Sequence, residues 1–261
     1  MSNISIVIPA LNEEHFLPHL LTSLVRQTKS DFEVIVVDGC STDRTVEVAR
    51  SFGNKLPKLE VIVSQKANLP LQRNLGARVS SGQWLVFIDA DSIVLPYFIE
   101  RIECFIEERS PTLFTSWFRP DSEVPGDALF TLIANLFVEG STVFRRPIAP
   151  GPLAVIRRDV FDLVGGYNET LTFGEDYDFT QRIVAHGSAL QILRETLYML
   201  SLRRVRKVGK MRFIGLYAKA SLLVLFTKRN LNNVPTYIMG GHIYENGKEY
   251  SGQPTMVNEQ E

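Results

Sequence analysis

Three carboxylates stand where a strand gives way to a turn, the place where an open α/β sheet binds its ligands. Asp89 and Asp91 flank Ala90 at the end of the apolar run that starts at Trp84, and Asp38 closes the run that starts at Phe32. Two acids spaced i, i+2 at a strand end can turn toward one hard cation, with phosphate oxygens supplying further ligands as Mg²⁺ sites prefer. An isolated pair of this kind is ordinarily a solvated turn. The buried strand before it and the helix start after it favour the ligand role. Asp38 is followed by Gly39, Cys40, Ser41, Thr42 and Asp43. Ser41 or Thr42 is a natural N-cap for a following helix, and Asp43 suits the same turn. Capping does not explain an acid inside the end of an apolar strand, so Asp38 is a ligand candidate. Cys40 reads as a small turn residue.

The elements that must position these acids are legible from periodicity. Ile4 to Pro9, Phe32 to Asp38, Leu59 to Val63 and Trp84 to Asp89 are nearly continuous β-branched or aromatic runs, as in strands buried on both faces. Helix-length segments lie between them, over Glu13 to Gln27, Thr42 to Phe52 and Leu71 to Ser80. In the first, Phe16, Leu17, Leu20, Leu21 and Leu24 recur at the spacing of a core-facing stripe. Such alternation implies right-handed crossovers and a mostly parallel, Rossmann-like central sheet with helices on both faces. After Asp91 the pattern is less regular. Leu95 to Arg109 reads as a helix, and residues 110–150, with five prolines, as loops around a helix near Asp127 to Phe137. Leu153 to Ile156 reads as a strand, and Arg158 to Val164 and Glu175 to His186 as helices.

Composition is ordinary for a globular chain, with 45% apolar and 22% charged residues among 261. A net charge of −1 offers no basic field for nucleic acid. Two cysteines cannot form a disulfide framework or a four-thiolate zinc site, which fits a reducing cytoplasm. The first ten residues lack a basic leader before their apolar run and read as a first strand, not a signal peptide. No stretch of about 20 uncharged apolar residues suggests a membrane span.

Six motifs occur in order: Ile6 to Glu14 (IVIPALNEE), Val36 to Asp43 (VVDGCSTD), Arg73 to Gly76 (RNLG), Phe87 to Asp91 (FIDAD), Gly165 to Tyr167 (GGY) and Gly174 to Phe179 (GEDYDF). Together they resemble glycosyltransferase family 2 with its GT-A fold, over about residues 3–195. The resemblance implies that Pro9, Glu13 or Glu14 and Asp38 line a nucleotide's base and ribose. By the same resemblance Arg73 approaches the nucleotide, and Asp89 and Asp91 are the D-x-D acids that hold Mg²⁺ or Mn²⁺. It makes Asp176 the general base for an acceptor hydroxyl and Glu175 its orienting neighbour. The competing reading is that both acids simply favour a helix N-terminus. Gly151 to Arg158 resembles the family's acceptor-side segment, and His242 is a candidate late metal ligand. The second strand ends in Asp38-Gly39 where the family commonly has two acids, so one base-contacting carboxylate is missing. The Gln-x-x-Arg-Trp signature of processive synthases has no match.

The expectation is therefore metal-dependent, inverting transfer of a single sugar from a nucleotide-sugar donor to a hydroxyl of a glycan or lipid-linked acceptor. A polyprenyl-phosphate acceptor, which needs no base, and a non-catalytic membrane-associated scaffold are the alternatives. The expected layout is a catalytic domain over 1–200, with a nucleotide-sugar half to about 92 and an acceptor half from 93. A basic amphipathic segment over 201–229 and a polar tail over 230–261 follow. Between Arg203 and Arg229 lie nine basic residues and no acid. Met211 to Phe226 would form a helix of roughly 24 Å, short for a span. Segment 203–229 then reads either as a peripheral contact with anionic lipid on the cytoplasmic face, or as a core helix whose flanking arginines bind the diphosphate or pair with the acidic body.

Overall fold

A computed structural model of the chain describes residues 3–143 and 146–210, together with Gly215. His242 and nearly all of 211–229 lie outside the described residues. The first half runs β1 (Ile4–Ala10), α1 (Leu17–Val25), β2 (Phe32–Asp38), α2 (Thr45–Arg50), β3 (Leu59–Val63), α3 (Leu69–Val79) and β4 (Trp84–Ile88). It continues through β5 (Ser92–Val94), α4 (Phe98–Arg109), β6 (Leu113–Pro120), α5 (Pro125–Val143), β7 (Leu153–Arg157) and α6 (Arg158–Leu163). The last elements are α7 (Glu175–Ala185), β8 (Leu190–Leu200) and α8 (Arg203–Val208). The eight strands form one sheet in the order β3-β2-β1-β4-β7-β6-β8-β5.

The expected parallel half is present: β3, β2, β1 and β4 pair in parallel, and β1 and β2 are buried along their whole length. Successive residues of β1 serve opposite layers. Ile4, Ile6 and Ile8 pack with α1 and α4, while Val7 joins the cluster under α3 and α7. Gly76 allows α3 to lie flush on β1, since a Cβ there would come 2.3 Å from Val7 Cγ1. That approach accounts for the glycine of the Arg73–Gly76 motif.

Beyond β4 the sheet turns mixed. β7 pairs antiparallel with both β4 and β6, β6 pairs parallel with β8, and β5 closes the edge antiparallel to β8. Strands β5, β6 and β8 were not expected. β6 falls in the proline-rich stretch read as loops, and it is bulged around Ser116 to Phe118 where it follows β8. Helix boundaries also move. Residues 13–16 form a loop and α1 starts only at Leu17, with a proline in its first turn. Ser41 and Thr42 do not cap α2, whose N-cap is Arg44 without a side-chain bond. Asp43 does serve that turn, accepting from Thr45 N at 3.0 Å.

One buried acid on β2 ties together β1 and the turns that lead into β3 and β4. Glu33 on β2 accepts hydrogen bonds from Ser5 Oγ (2.7 Å), Ser81 Oγ (2.9 Å) and Lys58 Nζ. Burial by itself would raise its pKa, but the bonds from Lys58, Ser81 and Ser5 bring it from 4.5 down to about 2. A depressed folded-state pKa contributes stability above the unfolded value and loses it as pH falls through the folded one. The fold should therefore lose about 3 kcal/mol between pH 4.5 and 2 through this group, at roughly 1.4 kcal/mol per pKa unit. Urea unfolding across that range should show the loss in the native protein, whereas Glu33→Gln should be weaker at pH 7 and flatter toward acid.

Candidate active site

The carboxyl ends of β1 and β2 carry two loops that hold each other. Asn12, in the left-handed region at φ 53°, accepts from Thr42 N at 2.7 Å and donates its own backbone N–H to Ser41 Oγ at 2.8 Å. Glu13 N donates to Thr45 Oγ1 and Glu14 N to Asp43 Oδ2. This lacing sends the two adjacent acids in different directions. Glu14 turns outward and accepts from Arg44. Glu13 turns inward, toward Asp91. Pro9 lies at the end of β1, in register with Val37, next to the Ala10–Asp38 pair. Asp38 spends Oδ2 on Ser41 N at 2.9 Å, while its buried Oδ1 has no hydrogen-bond partner. Buried acceptors are normally satisfied, so this atom is suited to a donor from a ligand. Gln72 holds the two strand ends together by donating to Ala10 O and Val37 O.

Antiparallel pairing of β7 with β4 sets Leu153 opposite Ile88, which brings Gly151 beside Asp89. Arg73, from α3 and only 1% exposed, fills the junction. Its Nη1 donates to Asp176 Oδ1 at 2.7 Å and to Glu175 Oε1 at 3.3 Å. Its Nη2 donates to Gly151 O at 2.9 Å and lies 3.4 Å from Asp89 Oδ1. The Tyr167 ring supports the guanidinium from 5.0 Å. One cation thus joins Asp89 on the parallel half to the two acids at the start of α7. Gly151 is needed for this closeness, because a Cβ there would lie 2.4 Å from Asp176 Oδ2.

A second arginine closes the other side. Arg203, at the start of α8, donates to both oxygens of Glu13 at 2.6 and 2.8 Å and lies 3.1 Å from Asp91 Oδ2. Its guanidinium stacks on Phe16 at 3.9 Å. Of the two readings of the basic segment, its described part therefore follows the one that pairs with the acidic body. Arg206 and Lys210 do the same, binding Asp121 and Asp127.

Crowded, desolvated carboxylates resist ionisation. Burial and the Asp91 charge hold Glu13 above the usual carboxylate range, against the pull of Arg203. Burial likewise raises Asp89, opposed by Arg73 and reinforced by Asp91. Glu175 is raised by burial and by Asp176, and Asp176 by burial, with Arg73 countering in both. The two differ in access: the Glu175 side chain is 8% exposed and that of Asp176 25%. Both also lie in the first turn of α7, where the helix N-terminus favours anions.

Among the described residues no three His, Cys, Asp or Glu side chains cluster as a complete metal cage. Asp89 and Asp91 supply two hard carboxylates at one strand end, beside the raised Glu13. That donor set suits a divalent cation whose other ligands are phosphate oxygens and water. Periodicity gave no role to Gln72 and read Phe16 as part of a core-facing stripe, whereas it stands at the N-cap of α1 with Arg203 over its ring. Asn74 is paired across 93 residues, donating to Tyr167 O and accepting from Tyr167 N. Asn74 and Tyr167 had a signal in their places in the RNLG and GGY motifs.

Removing a buried charge that several partners share leaves them uncompensated, which costs about 3–5 kcal/mol. Arg73→Met should lose that much in chemical unfolding, and adding Glu175→Gln should recover part of it.

Sequence and structure comparisons relate the chain to known proteins. The sequence profile described as glycosyl transferase family 2 matches residues 5–165. An uncharacterized glycosyltransferase of Haemophilus influenzae is 33% identical over 190 residues, 71% of this chain and 63% of that protein. Residues 1–349 of Staphylococcus aureus TarS, in complex with UDP-GlcNAc, superpose with a TM-score of 0.62 at 23% identity, covering 76% of this chain and 58% of that fragment. The mannosyltransferase PcManGT from Pyrobaculum calidifontis, in complex with GDP-Man and Mn²⁺, gives 0.64 at 19%, covering 84% and 64%. This chain thus spans somewhat under two thirds of each. With that profile across more than half its length, the chain belongs to glycosyl transferase family 2 and carries the GT-A fold.

Proposed function

We propose that this chain transfers a single sugar from a nucleotide sugar to an acceptor hydroxyl, with inversion and with the help of a divalent cation. The observation that carries this reading is Arg73, whose one buried guanidinium reaches both Asp89 and Asp176. The acid assigned to the leaving group and the acid assigned to the attacking group are thereby held one side chain apart.

On this reading Asp38 Oδ1 accepts an N–H from the donor's base, with Pro9 beside it and Glu13 toward the ribose and phosphates. Glu14, which faces Arg44, braces the loop. Asp91 and Asp89 would hold Mg²⁺ or Mn²⁺ together with the diphosphate oxygens. When bound, the cation neutralises charge that develops on the departing diphosphate. Arg203 stands next to Asp91 and Glu13 and supplies further positive charge there. Asp176, the more accessible of the α7 pair, takes the hydroxyl proton as that oxygen bonds to the anomeric carbon and the bond to the diphosphate breaks. Attack opposite the leaving group in one displacement inverts the configuration. Arg73 acts as a positioning residue: its hydrogen bond orients Asp176 and opposes the rise in pKa that burial causes.

UDP-GlcNAc in TarS and GDP-Man with Mn²⁺ in PcManGT support a nucleotide-sugar donor. The acceptor is a glycan or lipid-linked molecule in glycan, polysaccharide or glycolipid biosynthesis, met in the cytoplasm or at the cytoplasmic face of the membrane. A phosphate acceptor would leave Asp176 without a task, and a non-catalytic scaffold would have no use for either acidic set.

A thermal-shift panel of UDP, GDP, CMP and dTDP with Mg²⁺ or Mn²⁺ identifies the donor. A ligand at about 100 times its Kd adds roughly 2.7 kcal/mol to native stability, so the cognate nucleotide should stand out. Asp91→Ala should abolish the metal-dependent part of that shift and turnover while the protein stays folded. Unchanged nucleotide affinity in calorimetry would remove Asp91 from the site. Asp176→Asn should keep donor affinity but lower transfer at least about a hundredfold, the lower end of what a general base contributes. Near-normal transfer by that variant would favour the phosphate acceptor.

A further inference from the structure

One nitrogen stands among three carboxylate oxygens of the acidic floor. Arg203 Nη2 donates to Glu13 Oε1 at 2.6 Å and to Oε2 at 2.8 Å, and lies 3.1 Å from Asp91 Oδ2. The arrangement is enclosed: the Arg203 and Glu13 side chains are each 10% exposed and that of Asp91 20%. Phe16 covers one face of the guanidinium from 3.9 Å. Helix α8 itself is tied down by other contacts. Leu202 N donates to Asp121 Oδ1, Leu202 and Val205 are buried, and Arg206 is bound to Asp121 and Asp127. A change of the Arg203 side chain alone would therefore release Glu13 and Asp91 while the helix stays in place.

Asp91 is also one of the two acids placed to take a divalent cation. Mg²⁺ binds oxygen at about 2.0–2.1 Å in near-octahedral geometry. A cation that close to Asp91 and a guanidinium nitrogen 3.1 Å from Asp91 Oδ2 compete for the same carboxylate. Like charges so near each other in a partly desolvated cleft repel strongly. A free cation would have to take Asp91 from Arg203 and then stand beside an arginine still bound to Glu13. A cation carried by a diphosphate brings its own anion. The phosphate oxygens complete the cation's shell and offer the guanidinium a planar set of acceptors in exchange for those it gives up. Arg73 does not compete in this way, because its short bond is to Asp176 at 2.7 Å and it lies 3.4 Å from Asp89.

We infer that Arg203 selects the form in which this site takes its ligand: held on Glu13 and Asp91, it disfavours a free divalent cation and yields to the complex of that cation with a nucleoside diphosphate. The diphosphate rests on the glycosyl-transfer reading; the competition between Arg203 and a cation for Asp91 does not. Cation and nucleotide then bind with positive coupling. Such coupling is reciprocal, so each raises the other's affinity by the same factor. Part of that factor resides in the bonds of Arg203 to the two acids, which the two ligands together replace. Phe16 contributes by holding the guanidinium in place over its ring.

Titration of the full chain with Mn²⁺, the unbound ion being read from its electron paramagnetic resonance signal, tests this without any turnover. Native protein should bind Mn²⁺ alone at least about tenfold more weakly than with the nucleoside diphosphate that stabilises it in the thermal-shift panel, a usual size for coupling between two ligands. Arg203→Gln, which removes the charge and keeps a polar side chain, should bind Mn²⁺ alone at least about tenfold more tightly than native protein and lose most of the coupling. Arg204→Gln is the control for net charge. It removes a cation one residue along α8 whose charge acts on Asp89, and its gain should be clearly smaller. If Arg203→Gln lowers the melting temperature, Phe16→Leu decides instead. It keeps every charge, loosens the guanidinium, and should raise affinity for Mn²⁺ alone by a smaller factor. A nucleotide that shifts the melting temperature but leaves Mn²⁺ affinity unchanged overturns the proposal. So does an unchanged affinity in a folded Arg203→Gln, an equal gain in Arg204→Gln, or an unchanged affinity in Phe16→Leu where that variant decides. Failure of the glycosyl-transfer reading looks different: no nucleotide shifts the native protein, while Arg203→Gln still gains affinity for Mn²⁺.

Discussion

The Arg73 guanidinium is the contact on which the geometry of the site depends. It sits in the protein interior between acids from β4 and α7 and the backbone of the turn before β7. A desolvated cation with three carboxylates around it is stabilised only where its hydrogen bonds are well formed. The elements that carry those partners must therefore be in register, and they are held there by other means: α3 pressed onto β1 through Gly76, and β7 zipped antiparallel onto β4. Asn74, one residue along α3, fixes the loop that brings Tyr167 under the guanidinium. Arg158 holds the far end of the same helix by donating to Ala77 O and Ser80 Oγ.

A similar arrangement recurs where α8 returns to the first loop. Arg203 meets Glu13 across 190 residues of chain and also lies against Asp91, and its stacking on Phe16 adds apolar support to a charge pair. The two arginines divide the acidic floor between them, Arg73 with Asp89 and Arg203 with Asp91. Burial first, and the neighbouring acids second, push Glu13, Asp89 and Glu175 upward in pKa against the pull of the two cations. A divalent cation arriving with a nucleotide diphosphate would meet an electrostatic environment already arranged for positive charge. On the proposed function, little reorganisation would then be needed as the diphosphate leaves.

Basic residues near the carboxyl end of the described chain thus serve two surfaces. Arg203 faces the site, while Arg206 and Lys210 neutralise the buried acid at the start of α5. That neutralisation allows the helix to keep Asp127, Thr131 and Asn135 inward and Leu129, Leu132 and Leu136 outward. The segment read from sequence as basic and interfacial is in its described part a set of ion pairs.

The sequence by itself determined the parallel half, because strands buried on both faces read as continuous apolar runs and their helices as apolar stripes. It also marked the acids, since Asp38, Asp89 and Asp91 interrupt those runs at their ends and Glu175 and Asp176 open a helix. Strands β5, β6 and β8 were not legible: β5 is three residues long, and β6 mixes prolines, serine and arginine with its apolar residues. Which of Glu13 and Glu14 faces the site was decided by backbone hydrogen bonds to the next loop. Arg73 and Asp176, 103 residues apart, were placed together by the crossing of α3, β7 and α7. The outward turn of the α5 leucines was likewise a tertiary decision, because periodicity shows that a helix has an apolar face but not which of its faces forms the better hydrogen bonds with the sheet beneath it.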